Sequence, residues 1–293
     1  MILSFPTEPF LWKHSEKEAI KLIADAGFDA YDSSFCLSMK IENHPYANDS
    51  YLEYAKEVCE YADSLGIVCN QAHAPFPSSV GDPEKDEEIF NSIIRSMEMA
   101  SVLGAKIIVV HPKQHLNYAE HAEELFQMNL EFYARLIPYC EKYNIKVATE
   151  NMWQNNSASG AITDSTCSRA WEFNKYIDSI NSEWITGCLD IGHVSLVTKD
   201  ITGFIKDMGK DRIRALHIHD TDFIRDSHTM PFTQKIDYIA VAKTLGEIGY
   251  QGDFTYESGS FFNRFPMELY SSGLKLMHDV GRYLIGVLEE NKG

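Results

Sequence analysis

The feature that most constrains the fold is an alternation, repeated from one end of the chain to the other, of short apolar runs with longer segments of helical period. Eight runs have the character of strands, at 2–5, 28–35, 66–73, 105–111, 145–150, 185–190, 213–219 and 253–257. Eight helical segments follow them, at 15–26, 51–65, 84–103, 118–143, 168–180, 200–209, 237–248 and 266–290. Such alternation is typical of a parallel sheet, because each parallel connection needs a crossover. We therefore expect a (β/α)8 TIM barrel, with a doubly wound open sheet as the alternative.

The length of the chain agrees with one such barrel. Its 293 residues are many for an ordinary domain but close to the usual size of a single (β/α)8 unit. No glycine-rich phosphate loop follows the first predicted strand, which argues against the open sheet. Because no low-complexity linker interrupts the alternation, we expect a single domain over residues 1–293.

The net charge of the chain limits the kinds of molecule that it is expected to bind. The 43 acidic and 26 basic residues give a formal net charge of -17, which repels nucleic-acid backbones and anionic lipid. No run approaches the ~20 apolar residues of a membrane span, and the first residues lack the basic start of a signal peptide. The six cysteines show no CxxC pairing, as in reduced compartments. We expect a cytoplasmic protein that binds a small molecule and neither nucleic acid nor membrane, with a homo-oligomer left open.

Four polar residues end four separate predicted strands. They are Glu150 in KVATEN, Asp190 in GCLDIGH, His217 in RALHIHD and Glu257 in DFTYES. In a closed parallel barrel all strand ends of one polarity reach the same rim. Three carboxylates and one imidazole would form a mixed oxygen and nitrogen site there, suited to Mn, Mg, Co or Zn. A lone strand-end acid more often caps a helix, but four together predict one divalent metal, with Mn as the first choice.

The residues before these ligands are informative as well. Ala148, Cys188 and Thr255 stand two positions before Glu150, Asp190 and Glu257, respectively. Because side chains alternate between the two faces of a strand, each small residue points the same way as its ligand. We therefore expect a narrow layer beneath the metal, which would leave the ligands free to lean toward the barrel axis.

Further polar and aromatic residues cluster near the same strand ends. Three histidines, His73 in QAHAP, His111 in VVHP and His193 in LDIGH, are each expected to close a strand, where barrel active sites are built. Trp153 and other aromatic residues of these loops indicate an enclosed pocket that stacks on sugar C–H faces and excludes water. Three basic residues in rim loops could bind a phosphate or carboxylate: Lys113, Arg225 and Arg264. Each of these residues alone is more often a core or solvated residue, so the prediction depends on the group.

Taken in order, the motifs resemble the sugar phosphate isomerase/epimerase superfamily of xylose isomerase-like TIM barrels, which also contains endonuclease IV. The motifs are H-A-P at His73, V-V-H-P at His111, T-E-N at Glu150, D-I-G-H at Asp190, H-I-H-D at His217, D-S-H-x-x-P at Asp226 and Y-E-S at Glu257. The resemblance covers essentially the whole chain. It is specific to the superfamily and not to one reaction.

The resemblance implies a metal-dependent isomerase or epimerase that acts on a sugar or sugar phosphate through an enediolate. It implies four metal ligands: Glu150, Asp190, His217 and Glu257. Four residues are expected at the substrate: His73, His111, His193 and Trp153. A cation bound to a carbonyl and its neighbouring hydroxyl would stabilise the enediolate. Glu150 and Glu257 are the expected catalytic residues, because glutamates on opposite sides of the substrate can remove a proton and return one.

Three alternatives stay open at this point. An inosose-type dehydratase could use the same site, since loss of hydroxide from the enolate needs only a better-placed acid. A zinc endonuclease would use additional metal ligands, and the resemblance implies these candidates: His73, His111, His193, Asp226 and His228. The acidic charge argues against a nuclease, which gains most of its affinity from phosphate contacts. The third alternative is a barrel that binds a sugar without turnover, and residues 232–235 depart from the glycine-containing turn of many sugar-acting relatives.

Overall fold

Parallel strand pairing sets the architecture. The computed structural model describes residues 1–41, 43–156 and 158–293. The strands are β1 (Leu3–Pro6), β2 (Ala30–Ser34), β3 (Val68–His73), β4 (Ile107–Val109), β5 (Lys146–Glu150), β6 (Trp153–Asn155), β7 (Ile162–Asp164), β8 (Ile185–Asp190), β9 (Ile213–His217) and β10 (Phe254–Thr255). Eight of them form one sheet in the order β10, β1, β2, β3, β4, β5, β8, β9, while β6 and β7 form a separate antiparallel hairpin.

The sheet closes on itself between β9 and β10. Ile218 and Tyr256, which directly follow these strands, form a parallel bridge. The Ile218 N–H donates to the Thr255 carbonyl and the Glu257 N–H donates to the Ile218 carbonyl, each at 3.0 Å. These bonds join the two edge strands, so the sheet has no open edge. The (β/α)8 barrel predicted from the alternation is therefore confirmed.

Helices follow the barrel strands as expected. They are α1 (Glu16–Asp25), α2 (Phe35–Ser38), α3 (Tyr51–Leu65), α4 (Pro83–Val102), α5 (Tyr118–Tyr143), α6 (Ala170–Ile180), α7 (Ile191–Val197), α8 (Ile201–Met208), α9 (Tyr238–Glu247) and α10 (Tyr270–Glu290). Helices α2 and α7 and the β6–β7 hairpin were not predicted, because each is too short to show a period. Within the described ranges, no helix combines the length and the apolar character that crossing a bilayer requires.

Helix α5 illustrates how the sequence positions one of these elements. Leu125, Phe132 and Leu136 recur at helical spacing and are buried, and each such side chain contributes about 1.5–3 kcal/mol when removed from water. The helix begins after Asn117, whose side chain accepts a hydrogen bond from the Ala119 N–H. This capping and the buried stripe fix α5 against the sheet, and its first turn starts at the rim that carries the polar strand ends.

A small apolar cluster lies apart from the main core. It consists of Val109, Ala148, Cys188 and Ala215, all buried. The last three stand two residues before Glu150, Asp190 and His217 on neighbouring strands. Small side chains on this face leave space above them, and the longer polar side chains of the next layer extend into that space.

Candidate metal centre and cavity

The carboxyl ends of β5, β8, β9 and β10 converge at one rim of the barrel. Four side chains there each offer a ligand atom, and these atoms all lie within 4.8 Å of one another: Glu150, Asp190, His217 and Glu257. The first three are fully buried or nearly so, and the side chain of Glu257 is 16% exposed. The structure thus brings together the four residues that the sequence predicts as ligands, while their role as ligands stays a prediction.

Unsatisfied polar atoms mark this cluster as a place for a cation. Both carboxylate oxygens of Glu150, the His217 Nδ1 and the Glu257 Oε2 are buried without a hydrogen-bond partner. His217 Nδ1 lies 3.3 Å from Glu150 Oε1 and His111 Nε2 lies 3.2 Å from Glu150 Oε2, but both contacts are out of line for hydrogen bonds. A buried polar group left without a partner costs about 1–3 kcal/mol. One divalent cation at the shared point would satisfy these atoms together, so the donor set fits such an ion.

Asp190 joins a strand to a helix and also faces the cluster. Its Oδ1 accepts a hydrogen bond from the His193 N–H at 2.6 Å, which caps α7, while its Oδ2 lies 3.9 Å from His217 Nδ1. The Asn151 side chain donates to the Asp190 carbonyl at 2.9 Å and accepts from the Asp190 N–H at 2.8 Å. The same carboxylate therefore caps a helix and faces the cluster. The two hydrogen bonds of Asn151 fix the ends of β5 and β8 next to each other.

The two glutamates of the cluster have opposite proton affinities. Burial disfavours the charge of Glu150, but the imidazoles of His217 and His111 outweigh it and hold the pKa of Glu150 well below its usual range. Burial, followed by the charges of Glu150 and Asp190, raises the pKa of Glu257 well above its usual range. Neighbouring carboxyl groups with diverging pKa values are typical of acid and base pairs in active sites.

A second group of ligand-type side chains adjoins the first. It comprises His193, His219, Asp226 and His228. Asp226 Oδ2 lies 3.3 Å from His193 Nε2 and 3.1 Å from His228 Nε2. Burial opposes the charge of Asp226, but His193 and His228 hold the pKa of this carboxyl far below its usual range. A third group joins His73 and His111 to Glu150, so the residues that the sequence proposed as additional ligands also lie close together.

His219 also lies at the site, although it was not predicted as a ligand from the sequence. It is fully buried, its Nε2 lies 3.0 Å from Asp190 Oδ1, and its ring stacks on that of His228 at 4.0 Å between centroids. Gly192 makes this position accessible, since a Cβ there would lie 1.9 Å from His219 Cε1. The alternation in H-I-H-D, which sets His219 on the same face as His217, was the signal for it.

The position of His193 differs from the expectation that it closes a strand. It lies in the first turn of α7, three residues after the end of β8. The turn of helix carries its ring back over the rim, where its Nδ1 is 2.9 Å from the Asn151 carbonyl and 3.2 Å from Glu150 Oε1. The residue reaches the predicted site through a helix that is too short to be seen in the periodicity.

Gln71 and Asp32 lie behind the cluster and were not predicted from the sequence. Gln71 Nε2 lies 3.1 Å from His217 Nε2 and 2.9 Å from Asp32 Oδ2. Burial raises the pKa of Asp32 to about 6. Metal-binding histidines commonly direct their second ring nitrogen at a polar partner that orients the ring. Gln71 stands two residues before His73 on β3 and shares its face, which is the signal that could have found it.

A cavity of about 620 Å³ opens above the cluster. Its lining includes the four residues expected at the substrate: His73, His111, His193 and Trp153. Trp12 and Phe76 add aromatic surface to the lining, and the indole N–H of Trp153 donates to Asp226 Oδ2 at 3.1 Å. Apolar faces combined with a few fixed polar groups are typical of small-molecule sites. The β6–β7 hairpin carries Trp153 and thus forms one wall.

The sequence pattern of a known protein family matches most of the chain. The family is described as "Xylose isomerase-like TIM barrel", and the match covers residues 20–278. This finding agrees with the barrel topology and confirms the family resemblance read from the motifs.

Curated relatives are distant and differ in their names. An uncharacterised protein of Methanocaldococcus jannaschii is 26% identical over 248 residues, which cover 82% of this chain and 78% of the relative. A protein of Escherichia coli, provisionally named L-ribulose-5-phosphate 3-epimerase, is 24% identical over 65% of this chain and 64% of its own length. A provisionally named endonuclease 4 of Shouchella clausii is 28% identical over 51% of each chain. The chain thus spans only part of the last two relatives.

Solved structures resemble this one over nearly their full length. A D-tagatose 3-epimerase-like protein superposes with a TM-score of 0.75 at 20% identity and covers 98% of both chains. The IolI protein, solved with a bound zinc atom, superposes with a TM-score of 0.76 at 19% identity and covers 99% of both chains. At this level of identity the likeness establishes the fold.

Proposed function

Because the chain belongs to the xylose isomerase-like TIM barrel family, we propose that it is a metal-dependent isomerase or epimerase of small sugars. One observation carries the proposal: the ligand atoms of Glu150, Asp190, His217 and Glu257 lie within 4.8 Å of one another at the base of a cavity, and four polar atoms of this set lack partners. Structural neighbours that are named sugar epimerases support it.

The residues of the cluster suit proton transfer next to a carbonyl. A divalent cation, when bound, would supply the positive charge that stabilises an enediolate. Glu150, whose pKa is held low, can accept the carbon-bound proton. Glu257, whose pKa is raised, can donate one to the other face or to the adjacent carbon. His193 lines the cavity beside them and can orient a substrate hydroxyl.

The enclosure of the site supports the same chemistry. Trp153, Phe76 and Trp12 cover the cavity with apolar surface, which can stack on the C–H faces of a sugar and exclude water from the reacting carbon. Manganese is the first choice of metal for the mixed oxygen and nitrogen donor set, and zinc, magnesium and cobalt are the alternatives. The zinc in IolI supports zinc as one of them.

Solvent deuterium exchange tests this proposal. The metal-loaded protein is incubated in deuterated water with a panel of ketoses, and NMR is used to follow epimer formation and the loss of the proton next to the carbonyl. We expect a new epimer or isomer together with deuterium at that carbon. Loss of a hydroxyl instead would identify the inosose-type dehydratase. Binding of a ketose without exchange or product would support the non-catalytic sugar-binding barrel.

One observation favours a second candidate, a zinc endonuclease that acts on abasic DNA. Two groups of residues flank the central cluster at ligand distances: His73, His111 and Glu150 form one, and His193, Asp226 and His228 form the other. Part of the chain is also similar to proteins provisionally named endonuclease 4. The net charge of -17 opposes it, because binding of duplex DNA depends on neutralising phosphates.

Metal stoichiometry and DNA cleavage separate the two candidates. For the sugar enzyme we expect about one tightly bound divalent ion per chain by elemental analysis and no efficient incision of an abasic duplex after zinc loading. Three zinc ions per chain together with zinc-dependent incision would favour the nuclease. A ketose that protects the protein from heating only when metal is present would favour the sugar enzyme, since a ligand stabilises the state that it binds.

A further inference from the structure

The charge of the cavity lining bears on whether the substrate carries a phosphate. Three carboxylates line the cavity, those of Glu8, Asp226 and Glu257. Glu150 and Asp190 lie buried beside them. Among the described residues of the lining, none is a lysine or an arginine. A phosphate monoester carries nearly two negative charges at neutral pH, and proteins recognise it with Arg, Lys or free backbone amides.

The basic side chains of the surrounding loops are directed elsewhere. Lys113 Nζ lies 3.8 Å from Asp86 Oδ2 and sits over the ring of Phe132. Lys40 Nζ donates to the Phe76 carbonyl at 2.8 Å. Arg225 and Arg264, which the sequence offered as phosphate ligands, are exposed and lie outside the lining. These contacts leave the described lining without a lysine or arginine to offset a phosphate. Its four histidines lie against carboxylates of the site: His73, His111, His193 and His228.

Neutral amides and hydroxyls supply further polar groups of the cavity lining. Side chains of this kind line the cavity together with the aromatic residues: Gln114, Gln154, Asn155, Ser260 and Asn263. The Gln154 amide is held in place, because its Nε2 donates to the carbonyls of Gln114 and Leu116 at 2.9 and 2.8 Å. Amides and hydroxyls match sugar hydroxyl groups, which both donate and accept hydrogen bonds.

Glu8 is the acidic residue that combines a place in the lining with an exposed position. It stands at the start of a short 3-10 helix (Glu8–Phe10) that directly follows β1, and it takes part in no ion pair with any described residue. A carboxylate in this position, without an ion-pair partner among the described residues, adds negative potential to the cavity. Like-charge contacts of this kind are a common means of rejecting a competing ligand.

We propose that this site acts on sugars or polyol-derived ketones without a phosphate and that Glu8 discriminates against the phosphorylated forms. This inference rests on the proposed function and narrows its substrate class. It departs from the name of the E. coli relative, which refers to a pentulose phosphate. The physical basis is a cavity whose described lining holds no lysine or arginine and whose imidazoles already face carboxylates, while its amides and hydroxyls match sugar hydroxyl groups.

Matched pairs of substrates test the proposal. The metal-loaded protein is assayed with fructose, tagatose, psicose and xylulose, each against its terminal phosphate ester, by deuterium exchange and by calorimetric binding. In the pair that contains the best substrate, we expect kcat/KM and affinity to favour the free sugar by roughly 100-fold or more. Preference for a phosphate ester would overturn the inference while the proposed isomerase function stands. Absence of binding and exchange with every pair would overturn both.

Charge reversal at Glu8 gives a second, independent readout. Glu8→Lys should narrow the preference for the free sugar by about tenfold or more, and Glu8→Gln should have a smaller effect in the same direction. Glu141→Lys is the matched control, because Glu141 is exposed in the last turn of α5, at the opposite end of that helix from the rim. If Glu141→Lys changed the preference for the free sugar as much as Glu8→Lys does, the net charge of the protein and not Glu8 would set that preference. If neither variant changed it, Glu8 would have no part in the discrimination.

Discussion

Two glutamates of this barrel are equally buried and differ in almost every other respect. Glu150 and Glu16 are both fully inaccessible to solvent. Glu16 Oε1 accepts hydrogen bonds from the hydroxyls of Thr7 at 3.1 Å and Ser33 at 3.0 Å, and its Oε2 lacks a partner. Neither oxygen of Glu150 has a hydrogen-bond partner. Burial raises the pKa of Glu16 to about 7, while the imidazoles around Glu150 hold its pKa well below the usual range despite its burial.

The difference separates an acid held by hydroxyl groups from an acid surrounded by imidazoles at the base of the cavity. Glu16 is in the first turn of α1, and its hydroxyl partners come from the ends of β1 and β2, so it ties the first rim loop to the barrel. Ring nitrogens of three imidazoles lie 3.2–3.3 Å from the oxygens of Glu150, which have no hydrogen-bond partner: those of His111, His193 and His217. Burial alone therefore does not identify a functional carboxylate. One unsatisfied oxygen does not identify it either, because Glu16 also has one; Glu150 differs in that it has no hydrogen bond and lies among imidazoles.

The largest expected effect tests whether the cluster around Glu150 holds a metal. Asp190→Ala and His217→Ala should each remove most of the tightly bound divalent ion and abolish turnover, because the three remaining ligands bind far more weakly than four. Far-ultraviolet circular dichroism should stay that of the wild type, since the barrel core does not depend on this rim. Asp49→Ala, at an exposed position, is the control for elemental analysis. Full metal content in both variants would rule out the assignment.

The next effect compares the two glutamates directly. Glu150→Gln and Glu257→Gln keep an oxygen that can still coordinate but lose the ability to exchange a proton, so turnover should fall by roughly 100-fold or more while metal content falls less. Glu16→Gln makes the same chemical change at a buried site outside the cavity and should leave turnover close to that of the wild type. Near-normal turnover in both rim variants would disprove proton transfer by these glutamates even if the metal site is correct.

The raised pKa of Glu16 should make the free energy of unfolding depend on pH. Its pKa rises from 4.5 to about 7 on folding, so the folded state holds the proton more tightly than the unfolded state. The stabilisation is fully present below pH 4.5 and is lost as the pH rises through about 7, by roughly 3 kcal/mol at most. Glu16→Gln should lack this loss.

Urea denaturation of the wild type and the Glu16→Gln variant between pH 4.5 and 8 measures this difference. The rim carboxylates and imidazoles titrate in both proteins, so subtracting one curve from the other isolates Glu16. A constant difference across the range would show that Glu16 does not titrate in this interval. A difference that grows with pH in favour of the variant would confirm the structural role.

The smallest effect concerns the cavity wall. Trp153→Phe keeps an aromatic face but removes the indole N–H that donates to Asp226 at 3.1 Å. Loss of one hydrogen bond to a charged group is worth about 1.5–3 kcal/mol when buried and less here, because Trp153 is only half-buried. We expect KM to rise several-fold, on the order of tenfold at most, with little change in kcat. Trp171→Phe, on the exposed side of α6, is the control, and an equal effect there would remove Trp153 from the binding surface.

The sequence alone predicted the barrel and the central cluster for a local physical reason. Side chains alternate along a strand and parallel strands end at one rim, so Glu150, Asp190, His217 and Glu257 could be placed together from strand ends alone. The same reasoning anticipated the small residues beneath them, Ala148 among these. The single-domain organisation and the cytoplasmic location stay predictions.

The tertiary structure decided what depends on contacts between distant segments. His219 reaches Asp190 only because Gly192 clears its path, and Gln71 links His217 to Asp32 across neighbouring strands. The presence of Glu8 in the cavity lining follows from how the first loop folds over the rim. Neither periodicity nor spacing encodes such contacts, because they depend on the stagger of the strands and on the close packing of side chains around the closed barrel. The sequence therefore determined which residue types meet at the rim, and the packing of the barrel determined which of them share hydrogen bonds, which stay unsatisfied and which line the cavity.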